Sequence, residues 1–244
     1  MSREPPGEWD AVFFDIGGVL VSLPSVRRGY AEFVTEWAAD RGLDPEAALE
    51  EWRSVLGTHF KDRSGSEYRT ASEGYRKAFT ALADGDLDES EWLPGFRAAT
   101  RETLEPNPGA VETIEALDGA GLHLGVISDI DTWEAERMLD IFGIEARFDR
   151  VTTSEAVGHT KPDARMFEAA LDGTGVDPAC SLMIGDRADH DMQGGRDAGL
   201  WTVAYGGTAA ESISNRDGNR ALDDGPADFV VDDLREILDI VGAR

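Results

Sequence analysis

Residues 11–18 read AVFFDIGG: four apolar residues, then Asp15, then Ile16 and the pair Gly17-Gly18. A short apolar run closed by turn residues predicts a buried strand with a tight turn at its end. Three more pieces of chain carry chemically able side chains in similar settings. They are LGVISDID (124–131) with Ser128, GHTKPDARMF (158–167) with Lys161, and LMIGDRADHD (182–191) with Asp186 and Asp191. In a parallel α/β sheet the strand C-termini share one edge, and ligands bind there. The five residues would then meet as a nucleophile, an anion-binding hydroxyl, a cation and a carboxylate pair able to hold Mg²⁺. Such a set suits phosphoryl transfer.

The rest of the chain supplies the expected frame. From Pro106 onward, strand patterns (123–128, 149–154, 181–186, 201–205, 228–232) alternate with helical ones (109–119, 132–142, 163–173, 191–198, and one from Asp233). Alternation of this kind predicts an α/β fold with a doubly wound parallel sheet. A Gly- and Asn-containing loop is expected over 206–226, and Asp131 with Glu134 has the spacing of a capping box. Residues 25–102 contain no strand pattern. They read as amphipathic helices in GYAEFVTEWAADRG, DPEAALEEWRSVLG, SEYRTASEGYRKAFTALA and ESEWLPGFRAATRETL. Asp44 before Pro45 suits a helix start, and Gly42 and Gly57 suit helix ends. The reading is a core domain at 1–21 and 106–244 interrupted by an all-helical domain at 22–105.

Charge narrows the partners. The 244 residues carry a formal net charge of −26, with 49 acidic residues dispersed along the chain. A surface of that sign repels nucleic acid and anionic membranes. Its self-repulsion is screened by salt, which predicts a halophilic protein adapted to a high-salt cytoplasm. Of 23 basic residues only Lys61, Lys77 and Lys161 are lysines, so a lysine inside a motif stands out. No membrane-spanning run is present, and MSREPPGEWD lacks a charged-then-apolar signal pattern, so a cytoplasmic protein is expected. Cys180, the single cysteine, sits beside an apolar run and reads as a small core residue.

The four motifs, in this order and spacing, resemble the haloacid dehalogenase (HAD) superfamily of hydrolases, and the helical insert resembles the C1-type cap of its subfamily I. The resemblance implies a Rossmann-like core, a helical cap domain and a Mg²⁺-dependent phosphatase acting on a small phosphorylated metabolite, as a monomer or homodimer. It implies that Asp15 attacks phosphorus and that Lys161 offsets charge. Ser128, Asp129 and Lys161 would contact substrate. The metal ligands would be Asp15, the Gly17 carbonyl, Asp186 and Asp191, with Asp191 either a ligand or just behind one. His190 beside these acids reads as structural, and no His/Cys cluster suggests zinc.

Gly17 departs from the family pattern, since related phosphatases carry there an Asp that protonates the leaving group. Asp129, Asp131 and Asp189 are the nearby acids in sequence that could substitute. Relatives that cleave carbon–halogen bonds without Mg²⁺, or phosphonates through a cap lysine, are the alternatives, as is a phosphate-binding protein without turnover. Arg27-Arg28 and His59-Phe60-Lys61-Asp62-Arg63 are basic islands of the cap that could meet a second anionic group of the substrate.

Overall fold

The first strand is apolar on both faces, and the fold follows from where it sits. The computed structural model describes residues 4–83, 85, 87–211 and 227–243. Strand β1 (Ala11–Phe14) is fully buried at all four positions, as a central strand of a parallel sheet covered on both sides must be. It pairs in parallel with β2 (His123–Ser128) on one side and β4 (Ser181–Gly185) on the other. Beyond them lie β3 (Arg150–Thr153), β5 (Trp201–Tyr205) and β6 (Phe229–Val231), in the order β3-β2-β1-β4-β5-β6. All neighbours are parallel. This is the doubly wound order, whose direction of winding reverses between β1 and β4.

Register sets the heights of the residues at that reversal. Phe14 is level with Val126 and Ile184, and the Asp15 amide donates to the Ile184 carbonyl at 3.0 Å. Asp15 therefore leaves the sheet one residue before the level of Ser128 and Asp186. Below them, Ala11, Phe13, Ile127, Met166, Phe167, Ala170, Met183 and Leu200 form an apolar cluster.

Eleven α-helices accompany the described strands. Helices α1 (Leu23–Asp40), α2 (Pro45–Lys61), α3 (Ala71–Leu82) and α4 (Leu93–Thr103) belong to one compact unit, Ser22–Glu105. The other unit, Met1–Val21 with Pro106–Arg244, holds the sheet. Its helices are α5 (Ala110–Gly119), α6 (Thr132–Ile141), α7 (Ser154–Val157), α8 (Ala164–Leu171), α9 (Gln193–Asp197), α10 (Gly207–Glu211) and α11 (Ile237–Val241). The fold is thus α/β with an all-helical insertion. No helix among the described residues is long and apolar enough to cross a membrane.

The helical unit has a core of its own, made of rings. Tyr30 stacks on Phe96 at 5.2 Å, and Phe79 on Trp92 at 4.5 Å, with Trp37, Trp52 and Tyr75 packed around them. Such pairs add to their area burial through ring electrostatics.

Several local expectations are corrected. Helix α2 continues past Gly57 to Lys61, because tertiary packing overrides the weak local cost of a mid-helix glycine. Helix α1 starts earlier, at Leu23 with Pro24 in its first turn, and α3 starts only at Ala71, capped by Thr70. The Asp44 carboxylate does cap α2, accepting from the Ala47 amide at 2.9 Å. The box from Asp131 to Glu134 does not form: Asp131 makes no capping side-chain bond. Glu155, from α7, accepts instead from the Thr132 amide at 2.7 Å. The stretch expected as a helix at 191–198 opens with a π turn, Ala188–Met192. Part of the loop expected at 206–226 is α10; positions 212–226 lie outside the described residues. Cys180 is half-buried in a single 3₁₀ turn before β4, not in the core.

Candidate active site

All four motifs meet through one side chain. Lys161 is buried, and its Nζ lies 3.1 Å from Asp15 Oδ1 and 2.6 Å from Asp191 Oδ1. The same Nζ donates to the Ile127 carbonyl of β2 at 2.8 Å. Burial works against its charge, but the Asp15 and Asp191 carboxylates outweigh burial and hold the ammonium above its ordinary pKa.

Asp15 is held by its own turn. Its Oδ1 accepts from the Ile16 amide at 2.8 Å and faces Lys161. Its Oδ2 makes no hydrogen bond among the described residues. After it the chain folds back: Gly18 N donates to Val21 O at 2.9 Å and Val21 N to Ile16 O at 2.9 Å. Asn107 Nδ2 fastens the turn by donating to the Gly18 and Val19 carbonyls at 2.9 and 2.8 Å. The Gly17 carbonyl accepts none of these bonds.

Asp15, Asp186 and Asp191 can each offer a carboxylate oxygen, all within 4.8 Å of one another. Three carboxylates against one ammonium leave a local excess of negative charge. Burial first, and the Asp15 charge next, push Asp186 up to about 6. Burial likewise pushes Asp191 up to about 7, against the pull of Lys161 and with the push of Asp15. Asp186 Oδ1 is buried and makes no hydrogen bond among the described residues. An orphaned carboxylate oxygen in an all-oxygen, over-anionic cluster fits a hard divalent cation. His190 stands apart from the cluster, with its Nδ1 2.9 Å from Asp189 Oδ1.

Linkage gives these raised values a sign. Both acids bind protons more tightly folded than unfolded, where their ordinary value is 3.8. The stability they contribute is full below that value and is lost as pH rises through about 6 and about 7. In EDTA the melting temperature is therefore expected to fall between pH 5 and 8, and Mg²⁺ should remove the fall. Asp191→Asn should flatten the EDTA profile; equal slopes in the two proteins would contradict this.

The glycine before Asp186 is a packing requirement. A Cβ on Gly185 would lie 2.1 Å from Asp191 Cβ and 2.3 Å from its Cγ. Gly185→Ala must displace Asp191, so Mg²⁺ affinity is expected to drop at least about tenfold while the sheet survives. Isothermal titration of the EDTA-stripped variant checks this, and unchanged affinity would refute it.

The remaining expected site residues fall as follows. Ser128 is buried at the end of β2, and its hydroxyl makes no hydrogen bond among the described residues. Asp129 is already engaged: its Oδ1 accepts from the Lys161 amide at 2.8 Å and from Ser154 Oγ at 2.9 Å. Asp131 is fully buried at the start of α6, and Asp189 is exposed beside His190. In the helical unit, Arg28 is bound to Glu105 at 2.8 Å and to the Thr103 carbonyl at 3.0 Å. His59 is buried, with Nε2 2.9 Å from the Thr70 carbonyl. Arg27 and Lys61 are exposed and Arg63 is half-buried.

Two contributors were invisible in the motifs. Gly207 has φ +53, and a Cβ there would lie 2.3 Å from the Asp186 carbonyl oxygen. That carbonyl accepts from the Ala209 amide at 3.0 Å, so the start of α10 braces the Asp186 turn. The double glycine at 206–207 is the sequence signal for this close approach, although by itself it predicts only a loop. The second is Ser154, which shares Asp129 with Lys161.

A parallel sheet with this winding, and a lysine among three aspartates at its reversal, define an α/β enzyme core of the aspartate-rich kind. The family model of the haloacid dehalogenase-like hydrolases matches residues 9–199, and the chain belongs to that family. A glyceraldehyde 3-phosphate phosphatase of Methanothermobacter thermautotrophicus is 33% identical over 238 residues, covering 95% of this chain and 99% of the relative. A ribulose-1,5-bisphosphate 5-phosphatase of Halopiger xanaduensis is 26% identical over 236 residues, covering 95% and 98%. The crystal structure of a HAD phosphatase from Thermococcus onnurineus shares the fold, with a TM-score of 0.68 at 24% identity over 96% of this chain and 99% of that one.

Proposed function

We propose that this hydrolase is a Mg²⁺-dependent phosphatase of small phosphorylated metabolites, working through an aspartyl-phosphate on Asp15. The observation that carries the reading is Lys161 bridging Asp15 and Asp191 within a cluster of three carboxylates. The phosphatase relatives agree with it.

Asp15 Oδ2 attacks phosphorus, and the bond to the leaving oxygen breaks. Lys161 holds Asp15 by Oδ1 and offsets the charge that gathers on the phosphoryl oxygens. The Ser128 hydroxyl donates to one of those oxygens. Water then attacks the phosphorus of the aspartyl-phosphate, releasing inorganic phosphate and restoring Asp15. Asp15, Asp186 and Asp191, with the Gly17 carbonyl, would hold Mg²⁺. The bound ion supplies Lewis-acid stabilisation of phosphoryl charge. We assign residues 22–105 the part of a cap that excludes water and selects substrate.

Gly17 brings no proton donor, and the Lys161 ammonium donates to the Ile127 carbonyl and is ion-paired with Asp15 and Asp191. Leaving groups that depart without protonation are therefore favoured. Positioned proton transfer is worth about 10²–10⁴-fold. Turnover of p-nitrophenyl phosphate or acetyl phosphate is expected to exceed that of a simple alkyl phosphate by about that factor, and Gly17→Asp should narrow the gap. Equal rates on all three in the wild type would contradict it.

A further inference from the structure

The end of β2 grips Lys161 at both ends. Its side chain donates from Nζ to the Ile127 carbonyl at 2.8 Å. Its backbone amide donates to Asp129 Oδ1, two residues further along the same chain, also at 2.8 Å. The same Oδ1 accepts from Ser154 Oγ at 2.9 Å, at the start of α7. One carboxylate oxygen thereby ties three segments together: the exit of β2, the exit of β3, and the loop that carries Lys161. Ser154 is buried and Asp129 half-buried, so the two hydrogen bonds of this knot are partly screened from water.

We propose that Asp129 is a positioning residue, acting through Lys161 rather than by contact with substrate. The inference rests on the phosphatase reading of the site. It replaces the expectation that Asp129 binds substrate. Its nearer role is geometric: the Lys161 ammonium must meet Asp15 and Asp191 together, at 3.1 and 2.6 Å. An ångström of drift in the loop breaks one of those contacts, and losses of about 10²-fold follow displacements of that size.

The chemistry of the acceptor separates this role from others. An asparagine at 129 keeps a carbonyl oxygen able to accept from both Lys161 N and Ser154 Oγ. An alanine keeps neither. With p-nitrophenyl phosphate and Mg²⁺, Asp129→Ala is expected to lower kcat about 10–100-fold with KM changed less than about threefold. Asp129→Asn should recover most of the lost kcat, and Ser154→Ala should show a smaller loss of the same kind.

The decisive readout is the double variant. In a Lys161→Ala background, Asp129→Ala should lower kcat no further, because its route of action is gone. Circular dichroism and thermal melts of each variant establish that it is folded. Wild-type kcat in a folded Asp129→Ala, a rise in KM as the main effect, or full additivity with Lys161→Ala would each overturn the proposal. No turnover by the wild type would instead overturn the phosphatase reading on which it rests.

Discussion

Asp15→Asn is expected to abolish phosphatase turnover, by about 10⁴-fold or more, while leaving the protein folded. The substitution is nearly isosteric. The amide oxygen can still accept from Ile16 N, so the turn after β1 keeps its hydrogen bond at Asp15. What is lost, on the proposed mechanism, is the nucleophile, since a neutral amide does not attack phosphorus. Removing one of three clustered carboxylates also relieves repulsion on Asp186 and Asp191, both of which Asp15 pushes up. The variant should therefore melt no lower than the wild type in EDTA. Retained turnover would show that another group attacks; an unfolded variant would show that Asp15 is chiefly structural.

Lys161→Met carries the second large effect, on activity and on stability together. The methionine fills much of the same volume but leaves Asp15 and Asp191 facing each other in a buried site without their cation. Breaking a buried ion pair by removing one partner costs about 3–5 kcal/mol. Protonation of Asp191, already raised to about 7, limits the loss at low pH. Chemical unfolding in EDTA should thus show a deficit that is larger at pH 8 than at pH 5, and that Mg²⁺ partly restores. Loss of the charge that faces the transferring phosphoryl group should lower kcat about 10²–10³-fold. Wild-type stability at pH 8 would contradict the burial argument, and wild-type kcat the catalytic one.

The sheet was legible because most of its strands are apolar runs closed by Gly, Asp or Ser, with β3 (RVTT) the exception, and because alternation with helices demands parallel order. The edge where Asp15, Ser128 and Asp186 emerge follows from that order alone. Lys161 was legible for a different reason: in a chain nearly without lysine, one inside a motif invites a role. Less was legible where long-range contacts decide. Asp129 lies beside Ser128 in sequence, yet its partners are Lys161 and Ser154, more than twenty residues away. The Glu155 cap on α6 is equally remote from the helix it starts. Gly57 looked like a helix end because local propensity favours stopping there, but α2 continues beside α3 in the helical unit. Gly207 reveals its purpose only once β5 brings it against Asp186.

The acidic surface bears on how any of this is measured. At a net charge of −26 the folded chain repels itself at low ionic strength, so assays belong in molar KCl, where that repulsion is screened.

The most direct test of the central claim is hydrolysis of p-nitrophenyl phosphate by the wild-type protein in molar KCl, with Mg²⁺ or with EDTA. The leaving group needs little protonation, so Gly17 is no obstacle. Saturable release of p-nitrophenol with Mg²⁺, lost in EDTA and restored by added Mg²⁺, is the predicted result. A folded protein that releases none, or one that works equally well in EDTA, would contradict the account.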